Sequence, residues 1–302
     1  MKVRLYPALL ALVLTSTHVP AQQVALTFDD LPAHGDLPPG MTRADVARKI
    51  LAILKAHHVK QAYGFINGEK LEKVPEDKEV LHLWLEAGYP LGNHGYTHMD
   101  LGAHTAQEFE VDIAGNEPVL RSLMPSTDWR WFRYPFLREG DTPEKYHAVH
   151  DYLKQQGYRV AQVTLDTGDW AWQGPYARCM AKNDAASVKW LEESYMDIAN
   201  EDINLGRNVA RLLFGHDVRY VMLLHIGAFN TVMLPQLMDL LHKKHFHIVP
   251  LEKAEADPVY KISPEPLTNW DGGLLDQILT SRKLELPPHK QRPMQRLAEI
   301  CQ

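Results

Sequence analysis

A regular alternation of strand-like and helix-like segments is the feature that most constrains the fold of this chain. Short apolar or β-branched runs alternate with longer segments in which apolar residues recur every three to four positions. The predicted strands are 23–28, 63–66, 91–93, 131–134, 159–165, 220–226 and 247–251, and the predicted helices are 42–56, 78–87, 106–123, 143–156 and 232–243. This alternation favours a parallel α/β architecture, and about seven units in about 230 residues suit a barrel better than an open sheet.

Two segments fall outside the alternation. Residues 171–215 are predicted to form two helices inserted before the next strand, and their tryptophans and tyrosines could stack on sugar rings or pack the insertion onto the barrel. From residue 257 onwards the chain is rich in proline and is predicted to wrap the domain as a tail. The expected organisation is therefore a segment 1–21, a single catalytic domain over 22–256 and a C-terminal tail over 257–302 that packs on the barrel.

The N-terminus has the pattern of a secretory signal peptide. Lys2 and Arg4 precede an apolar run that ends at about Thr15, and Val19 and Ala21 supply small residues for cleavage near Ala21. The run is too short to span a bilayer comfortably, although an uncleaved anchor is the alternative, and no later segment has the ~20 apolar residues of a transmembrane helix. We therefore expect an exported protein, periplasmic or secreted, with no transmembrane segment after cleavage.

Charge and cysteine content restrict the remaining possibilities. The formal net charge is −6 and no basic stripe is present, so we expect no nucleic-acid partner. The two cysteines, Cys179 and Cys301, could pair in an oxidising compartment, but the sequence leaves that pairing open. Two cysteines are too few to build a metal site.

Polar residues mark the ends of five predicted strands, where the catalytic groups of a parallel barrel gather. One such residue alone means little, because adjacent aspartates are usually solvated turn residues and a His-x-x-x-His pair often lies on a helix surface. Their repetition at matching strand ends favours a functional site. The residues are Asp29 and Asp30, His94 and His98, Arg133, Asp166 and Asp169, and His225.

The first part of this set is suited to a catalytic metal. Zinc prefers imidazole nitrogen and carboxylate oxygen, and a catalytic site uses three protein ligands and leaves a position for water. His94 and His98 can point the same way, and either Asp29 or Asp30 can complete the set. The other aspartate could then take a proton from a water molecule that the metal acidifies to a pKa of ~7.

The second part is suited to general acid–base work. Arg133 could keep the aspartate base ionised and oriented by a charge-assisted hydrogen bond. His225 could protonate a departing amine, while Asp169 holds its imidazole and raises its pKa. The plainer alternatives are that Asp169 and Trp170 pack under the barrel rim and that His225 is a core histidine.

In their order along the chain, these residues resemble the motifs of the NodB-homology polysaccharide deacetylases, carbohydrate esterase family four. The similarity covers roughly residues 23–252, and Gly95 departs from it because the family usually has a hydroxyl residue there. This departure should matter little to metal ligation, because the position is not a ligand, but it leaves one supporting hydrogen bond unaccounted for. The matching motifs are Thr27-Phe28-Asp29-Asp30, Asn93-His94-Gly95-Tyr96-Thr97-His98, Arg133-Tyr134-Pro135-Phe136, Asp166-Thr167-Gly168-Asp169-Trp170 and Leu223-Leu224-His225.

The resemblance implies an incomplete (β/α)7 barrel, a divalent metal that is usually Zn2+, and Asp29 as the general base. It implies that the Phe136 backbone N–H helps to stabilise the oxyanion and that His225, tuned by Asp169, is the acid. The implied metal ligands are Asp30, His94 and His98. The implied walls of the acetyl pocket are Trp170 and Leu223.

The implied reaction is removal of N-acetyl groups from an amino-sugar glycan or oligosaccharide of the chitooligosaccharide or peptidoglycan type. The alternatives are an O-acetyl esterase acting on xylan-like polymers, a hydrolase of small amides or formamides, and a barrel that binds glycan without catalysis. An intact base, metal set and acid argue against the last. The other histidines, at 57–58 and 242–247, are expected on the surface, whereas His34 lies on a rim loop and could contact substrate.

Overall fold

Eight parallel strands form one curled sheet in residues 22–264 and 271–302, the part of the chain that this computed structural model describes. The predicted signal peptide, residues 1–21, lies outside the described residues. Along the sheet the order is β5-β4-β3-β2-β1-β7-β6, and β8 pairs with the first residues of β1. The strands are β1 (Gln22–Leu31), β2 (Ala62–Ile66), β3 (Leu91–Asn93), β4 (Trp131–Phe132), β5 (Arg159–Val160), β6 (Leu165–Asp166), β7 (Tyr220–His225) and β8 (Phe246–Ile248).

Helices follow most strands and cover the outside of the sheet, so the predicted incomplete (β/α)7 barrel is confirmed. Their apolar faces pack on the strands around the buried β1, which lies at the centre of the sheet. The helices are α1 (Arg43–Ala56), α2 (Glu69–Lys73), α3 (Lys78–Glu86), α4 (Ala106–Leu123), α5 (Pro143–Gln155), α6 (Trp170–Ala181), α7 (Ala185–Phe214), α8 (Asn230–Lys243), α9 (Leu251–Glu255), α10 (Leu274–Ser281) and α11 (Met294–Glu299).

Local sequence signals explain where the long helices begin. Thr42 and Thr105 each cap a helix, accepting a hydrogen bond from the backbone N–H three residues on, while the Asp45 or Glu108 side chain accepts one in return. None of the helices in the described ranges is long and apolar enough to cross a bilayer.

The barrel opens between β5 and β6, and here one sequence prediction was wrong. A single strand was predicted over 159–165, but the chain crosses from one edge of the sheet to the other within it. The Ala161 N–H donates to Phe132 O on one side (2.7 Å), while the Thr164 N–H donates to Val221 O on the other (3.0 Å). An apolar run cannot show which neighbour its backbone groups will pair with, so the break had no signal in the sequence.

The C-terminal segment packs beside this opening. At the start of α10 the Leu274 N–H donates to Val163 O at 2.7 Å, between the two edge strands. The Gln277 side chain donates to the buried Glu139 at 3.1 Å, and Leu275 and Ile278 are buried against the barrel. The edges of the sheet that lack a partner strand are thereby partly covered.

The insertion consists of α6 and the 30-residue α7, as the predicted pair of helices. Trp172, Tyr176 and Tyr195 are buried, and Tyr195 packs edge-on against Trp172 and Phe229 at centroid distances of 5.5 and 5.4 Å. These aromatic rings therefore attach the insertion to the barrel and are not available to stack on a sugar.

A disulfide joins Cys179 of α6 to Cys301, two residues after α11, with their Cα atoms 5.2 Å apart. The pairing that the sequence left open is therefore made. Nearby, Arg178 donates to Leu297 O at 2.9 Å, and Arg296 lies 3.8 Å above the Trp190 ring. The end of the chain is thus held on the insertion by covalent, polar and cation–π contacts.

Replacing Cys301 by serine should lower the free energy of unfolding by about 2–4 kcal/mol, because the disulfide closes a loop of 122 residues and restricts the unfolded chain. Denaturant unfolding followed by tryptophan fluorescence measures this change. Reducing agent should destabilise the unmodified protein by a similar amount and leave the Cys301→Ser variant unaffected. Equal midpoints for all samples would contradict a stabilising disulfide.

Candidate active site

The carboxyl ends of the strands converge on one open cavity of about 440 Å³. β1 and β7 are adjacent and pair Asp29 with His225 in register, so the predicted base and the predicted acid are brought together by strand pairing alone. Arg133 and Asp169 are fully buried and contact Asp29 and His225, respectively. The predicted residues that line the cavity are Asp29, Asp30, His94, His98, Phe136, Trp170, Leu223 and His225.

Asp30, His94 and His98 place one ligand atom each within 4.8 Å of one another. The Asp30 Oδ1 lies 3.4 Å from His98 Nε2 and 4.0 Å from His94 Nε2. Asp29 approaches only one of the two rings, with its Oδ2 3.7 Å from His94 Nε2. Two imidazoles and one carboxylate form a donor set suited to Zn2+, and this geometry favours Asp30 over Asp29 as the third ligand.

The two imidazoles are held in the state that a metal requires. The Nδ1 of His94 is 2.8 Å from Arg133 O, which fixes a proton on Nδ1 and leaves Nε2 with a free electron pair. Burial lowers the pKa of His94 well below its usual range and lowers that of His98 as well. Neutral imidazoles bind cations without first losing a proton. The residues present therefore fit a divalent cation.

Asp29 and Arg133 form a buried ion pair beside this trio. The Arg133 Nη1 donates to both carboxylate oxygens at 3.3 and 3.2 Å, its Nη2 donates to Thr27 Oγ1 at 3.2 Å and its Nε to Ala161 O at 2.6 Å. Burial raises the pKa of Asp29 to about 6, against the opposing charge of Arg133. The carboxylate is thus ionised and oriented near neutral pH, yet basic enough to accept a proton.

His225 is oriented by a carboxylate on its far side. Its Nδ1 lies 2.8 Å from Asp169 Oδ1, and its backbone N–H donates to Asp169 Oδ2 at 2.8 Å. The Asn230 side chain donates to the same carboxylate and to His225 O. Burial alone would lower the pKa of His225, but Asp169 outweighs it and raises the pKa to about 9. With Nδ1 engaged by Asp169, the other ring nitrogen is left for the cavity.

Three of the predicted site residues have left-handed backbone conformations: Asp30 (φ 70°), His98 (φ 61°) and Phe136 (φ 59°). Such conformations cost about 1–2 kcal/mol for residues other than glycine, and they cluster where function requires a fixed direction of a side chain or N–H. The Phe136 ring packs edge-on against His98 at 4.4 Å and is half exposed at the cavity mouth.

A buried network of amides supports the loop that carries the two histidines. The Asn67 side chain donates to His94 O and Gly95 O at 2.8 and 3.0 Å, and the Asn116 side chain donates to Asn93 Oδ1 at 3.0 Å. Sequence reasoning missed Asn67 and Asn116, because an isolated asparagine carries no pattern.

Gly95 packs closely against a buried carboxylate of α4. Thr97 donates its N–H and its hydroxyl to Asp112 Oδ1 at 2.9 and 2.7 Å, but the buried Asp112 Oδ2 accepts no hydrogen bond from the described residues. This oxygen faces Gly95, since a Cβ added there would lie 2.6 Å away. The space that a side chain at position 95 would need is thus taken by a buried oxygen that has no hydrogen-bond partner among the described residues.

Lys70 and His34 also contact Asp30. The Lys70 Nζ donates to Asp30 Oδ1 at 3.0 Å, and His34 Nδ1 lies 2.6 Å from Asp30 Oδ2. Burial alone would raise the pKa of Asp30, but Lys70 and His34 outweigh it and hold that pKa well below its usual range. Lys70 was missed because α2 is short and has no periodicity, whereas the rim position of His34 was its only signal.

The histidines predicted on the surface are indeed exposed or half-exposed. Five of them line a separate surface cavity, at the amino ends of β1 and β8 and thus away from the candidate active site. They are His57, His58, His242, His245 and His247.

Comparisons with known proteins point to the same family that the sequence motifs resemble. Residues 16–161 match the family model described as polysaccharide deacetylase. The chain is 31% identical over 151 residues to the peptidoglycan-N-acetylglucosamine deacetylase of Bacillus cereus, an alignment that covers 49% of this chain and 46% of that protein. The chain thus spans about half the length of this curated relative.

Two solved structures share the fold. The chitin deacetylase of Colletotrichum lindemuthianum aligns with a TM-score of 0.54 at 20% identity, over 78% of this chain and 90% of that one. A CE4 family pseudoenzyme from Bacillus anthracis aligns with a TM-score of 0.53 at 18% identity, over 78% of this chain and 66% of that one. These likenesses establish the fold, and any activity must be argued from the site.

Proposed function

We propose that this chain, which matches the polysaccharide deacetylase family model over residues 16–161, is an exported, Zn2+-dependent hydrolase that removes N-acetyl groups from amino-sugar glycans or oligosaccharides. One observation carries the proposal. Two neutral imidazoles and the Asp30 carboxylate converge beside a second, arginine-paired carboxylate and opposite a carboxylate-held histidine. A barrel without catalysis would have no need to keep all three parts buried and aligned.

The residues take the following roles in this proposal. Asp30, His94 and His98 hold the cation, which when bound lowers the pKa of a water molecule to ~7 and polarises the acetyl carbonyl. Asp29, fixed by Arg133, removes a proton from the attacking water.

The water oxygen bonds to the acetyl carbonyl carbon, and the C–N bond then breaks on the side of the cavity where His225 lies. His225 delivers a proton to the amine nitrogen as that bond breaks, so that acetate and the free amino sugar leave. Asp169 holds the imidazolium form of His225 until that step. The Phe136 N–H supports the developing oxyanion, and the acetyl methyl group rests against Trp170 and Leu223.

The substrate class follows from the cavity and from the relatives. Trp170 and Phe136 are both half exposed at the cavity mouth and present flat apolar faces of the kind that pack on sugar rings. The matched relative acts on peptidoglycan N-acetylglucosamine, and the fold neighbour on chitin. The Cys179–Cys301 disulfide supports export, since such bonds persist in oxidising compartments.

Acetate release across a panel of acetylated compounds tests the substrate proposal. Chitooligosaccharides and peptidoglycan fragments should release acetate with Zn2+ present and lose that activity in excess chelator, whereas acetylated xylan should be a poorer substrate. Release that is unaffected by chelator would contradict the metal mechanism. A preference for xylan or for small amides would contradict the glycan N-deacetylase assignment.

Replacing Asp29 by asparagine should lower kcat about 10²–10⁴-fold while the protein keeps its tightly bound cation, because the base is lost and the ligands are not. Steady-state rates and metal analysis after dialysis measure the two effects. Asp30→Asn is the matched control, since it changes the neighbouring carboxylate and should lose the cation. Undiminished turnover in Asp29→Asn would remove Asp29 as the base.

The pH profile of kcat/KM should be bell-shaped. Asp29 must be ionised, and a bound cation lowers its pKa from about 6, so the acid limb should lie at or below pH 6. His225 must be protonated, and the same cation lowers its pKa from about 9, so the basic limb should lie at or below pH 9. Asp169→Asn removes the charge that raises the pKa of His225, and the basic limb should therefore move to lower pH. An unmoved basic limb would contradict His225 as the acid.

A further inference from the structure

The two oxygens of Asp30 face different histidines. Oδ1 is directed to His94 and His98, as described above. Oδ2 is 2.6 Å from His34 Nδ1, and the His34 ring lies 4.4 Å from the His225 ring. One ligand atom each from Asp30, His34 and His225 also lies within 4.8 Å of the others.

We propose that Asp30, His34 and His225 form a second binding site for a divalent cation, that this site shares Asp30 with the first, and that its occupation by excess Zn2+ inhibits the enzyme. The donor set is again two imidazoles and one carboxylate, so it prefers Zn2+ or a similar transition metal to Mg2+ or Ca2+. The inhibitory consequence rests on the function proposed above, whereas the existence of the site does not.

The second site is preorganised by the loop that carries His34. The Arg43 guanidinium donates to His34 O at 3.0 Å and to Gly35 O at 2.6 Å, and so holds the loop against the barrel. Gly35 has a φ of +64° and lies so close to Gln173 that an added Cβ would be 2.8 Å from the Gln173 side chain. On the opposite side, Asp169 holds Nδ1 of His225, the carboxylate–histidine arrangement that orients ligands in metal sites.

Occupation of this site would block the reaction for a chemical reason. A cation at this site displaces the proton from the cavity-facing nitrogen of His225 and takes its place, so His225 can no longer deliver that proton to the departing amine. The second cation should also bind more weakly than the first, because two dications share one carboxylate and repel each other. Low zinc concentrations should therefore activate, and higher concentrations should inhibit.

Calorimetric titration of the metal-free full chain with ZnCl2 tests the site. The unmodified protein should bind two Zn2+ ions, one tightly and one weakly, and His34→Ala should lose only the weak event. His34→Gln, which can still donate to Asp30, should behave in the same way and provides a second variant if the first does not fold. His94→Ala should lose the tight event. A single event in the unmodified protein, or two events in both His34 variants, would overturn the proposal.

The surface histidines supply the control for adventitious zinc. A His57→Ala/His242→Ala/His247→Ala variant removes three of the five rings that line the separate cavity and should retain both binding events. If the weak event disappears there and persists in His34→Ala, the second cation binds at that surface and the proposal is wrong.

Activity provides a readout that separates the two proposals. We compare the rate at a free zinc concentration about ten times the dissociation constant of the weak event with the rate at one equivalent of zinc. For the unmodified enzyme the first rate should be about tenfold lower than the second. The same ratio should stay near one for His34→Gln. Two binding events without any acetate release would contradict the proposed function and leave the second site standing. Acetate release with a single binding event would contradict the second site and leave the proposed function standing.

Discussion

The buried ion pair between Asp29 and Arg133 is the interaction on which the rest of the site depends. Both side chains are almost fully removed from water, and a buried charge costs several kcal/mol unless it is paired and hydrogen-bonded. The guanidinium reaches Thr27 and Asp29 on β1 and Ala161 O next to β5, so it ties together strands from both halves of the curled sheet. Its own backbone carbonyl orients His94. One residue therefore positions the base with its side chain and a metal ligand with its main chain.

The parts of the site that the sequence predicted are those that strand pairing determines. Asp29, Asp30 and His225 follow from the register of β1 with β7, and His94 and Arg133 follow from the ends of β3 and β4. In a parallel sheet, the side chains just beyond such ends must lie at the same edge. The alternation of strands and helices was therefore enough to expect these groups at one edge, and α1, α3, α4, α5 and α8 were predicted to within two residues for the same reason. The helices α6 and α7 were predicted only as a pair within 171–215.

The parts that the sequence did not predict depend on the paths of loops and on pairing across long separations. Lys70 reaches Asp30 from α2, a helix of five residues, and His34 reaches it through a loop that is held by Arg43. The break between β5 and β6 depends on which neighbouring strand accepts each N–H, and the disulfide joins residues 122 apart. None of these contacts leaves a periodic signal, because each is decided by tertiary packing.

Asp30 shows why these unpredicted contacts matter to the chemistry. A carboxylate that is buried among histidines would be costly to ionise without a counter-charge. The Lys70 ammonium on Oδ1 and the His34 ring on Oδ2 supply hydrogen bonds to both oxygens when no cation is bound. The carboxylate is consequently fixed in direction and kept ionised before any metal arrives. A cation that binds at either oxygen must compete with one of these two neighbours, so the same contacts that prepare Asp30 as a ligand also limit how tightly each side can hold an ion.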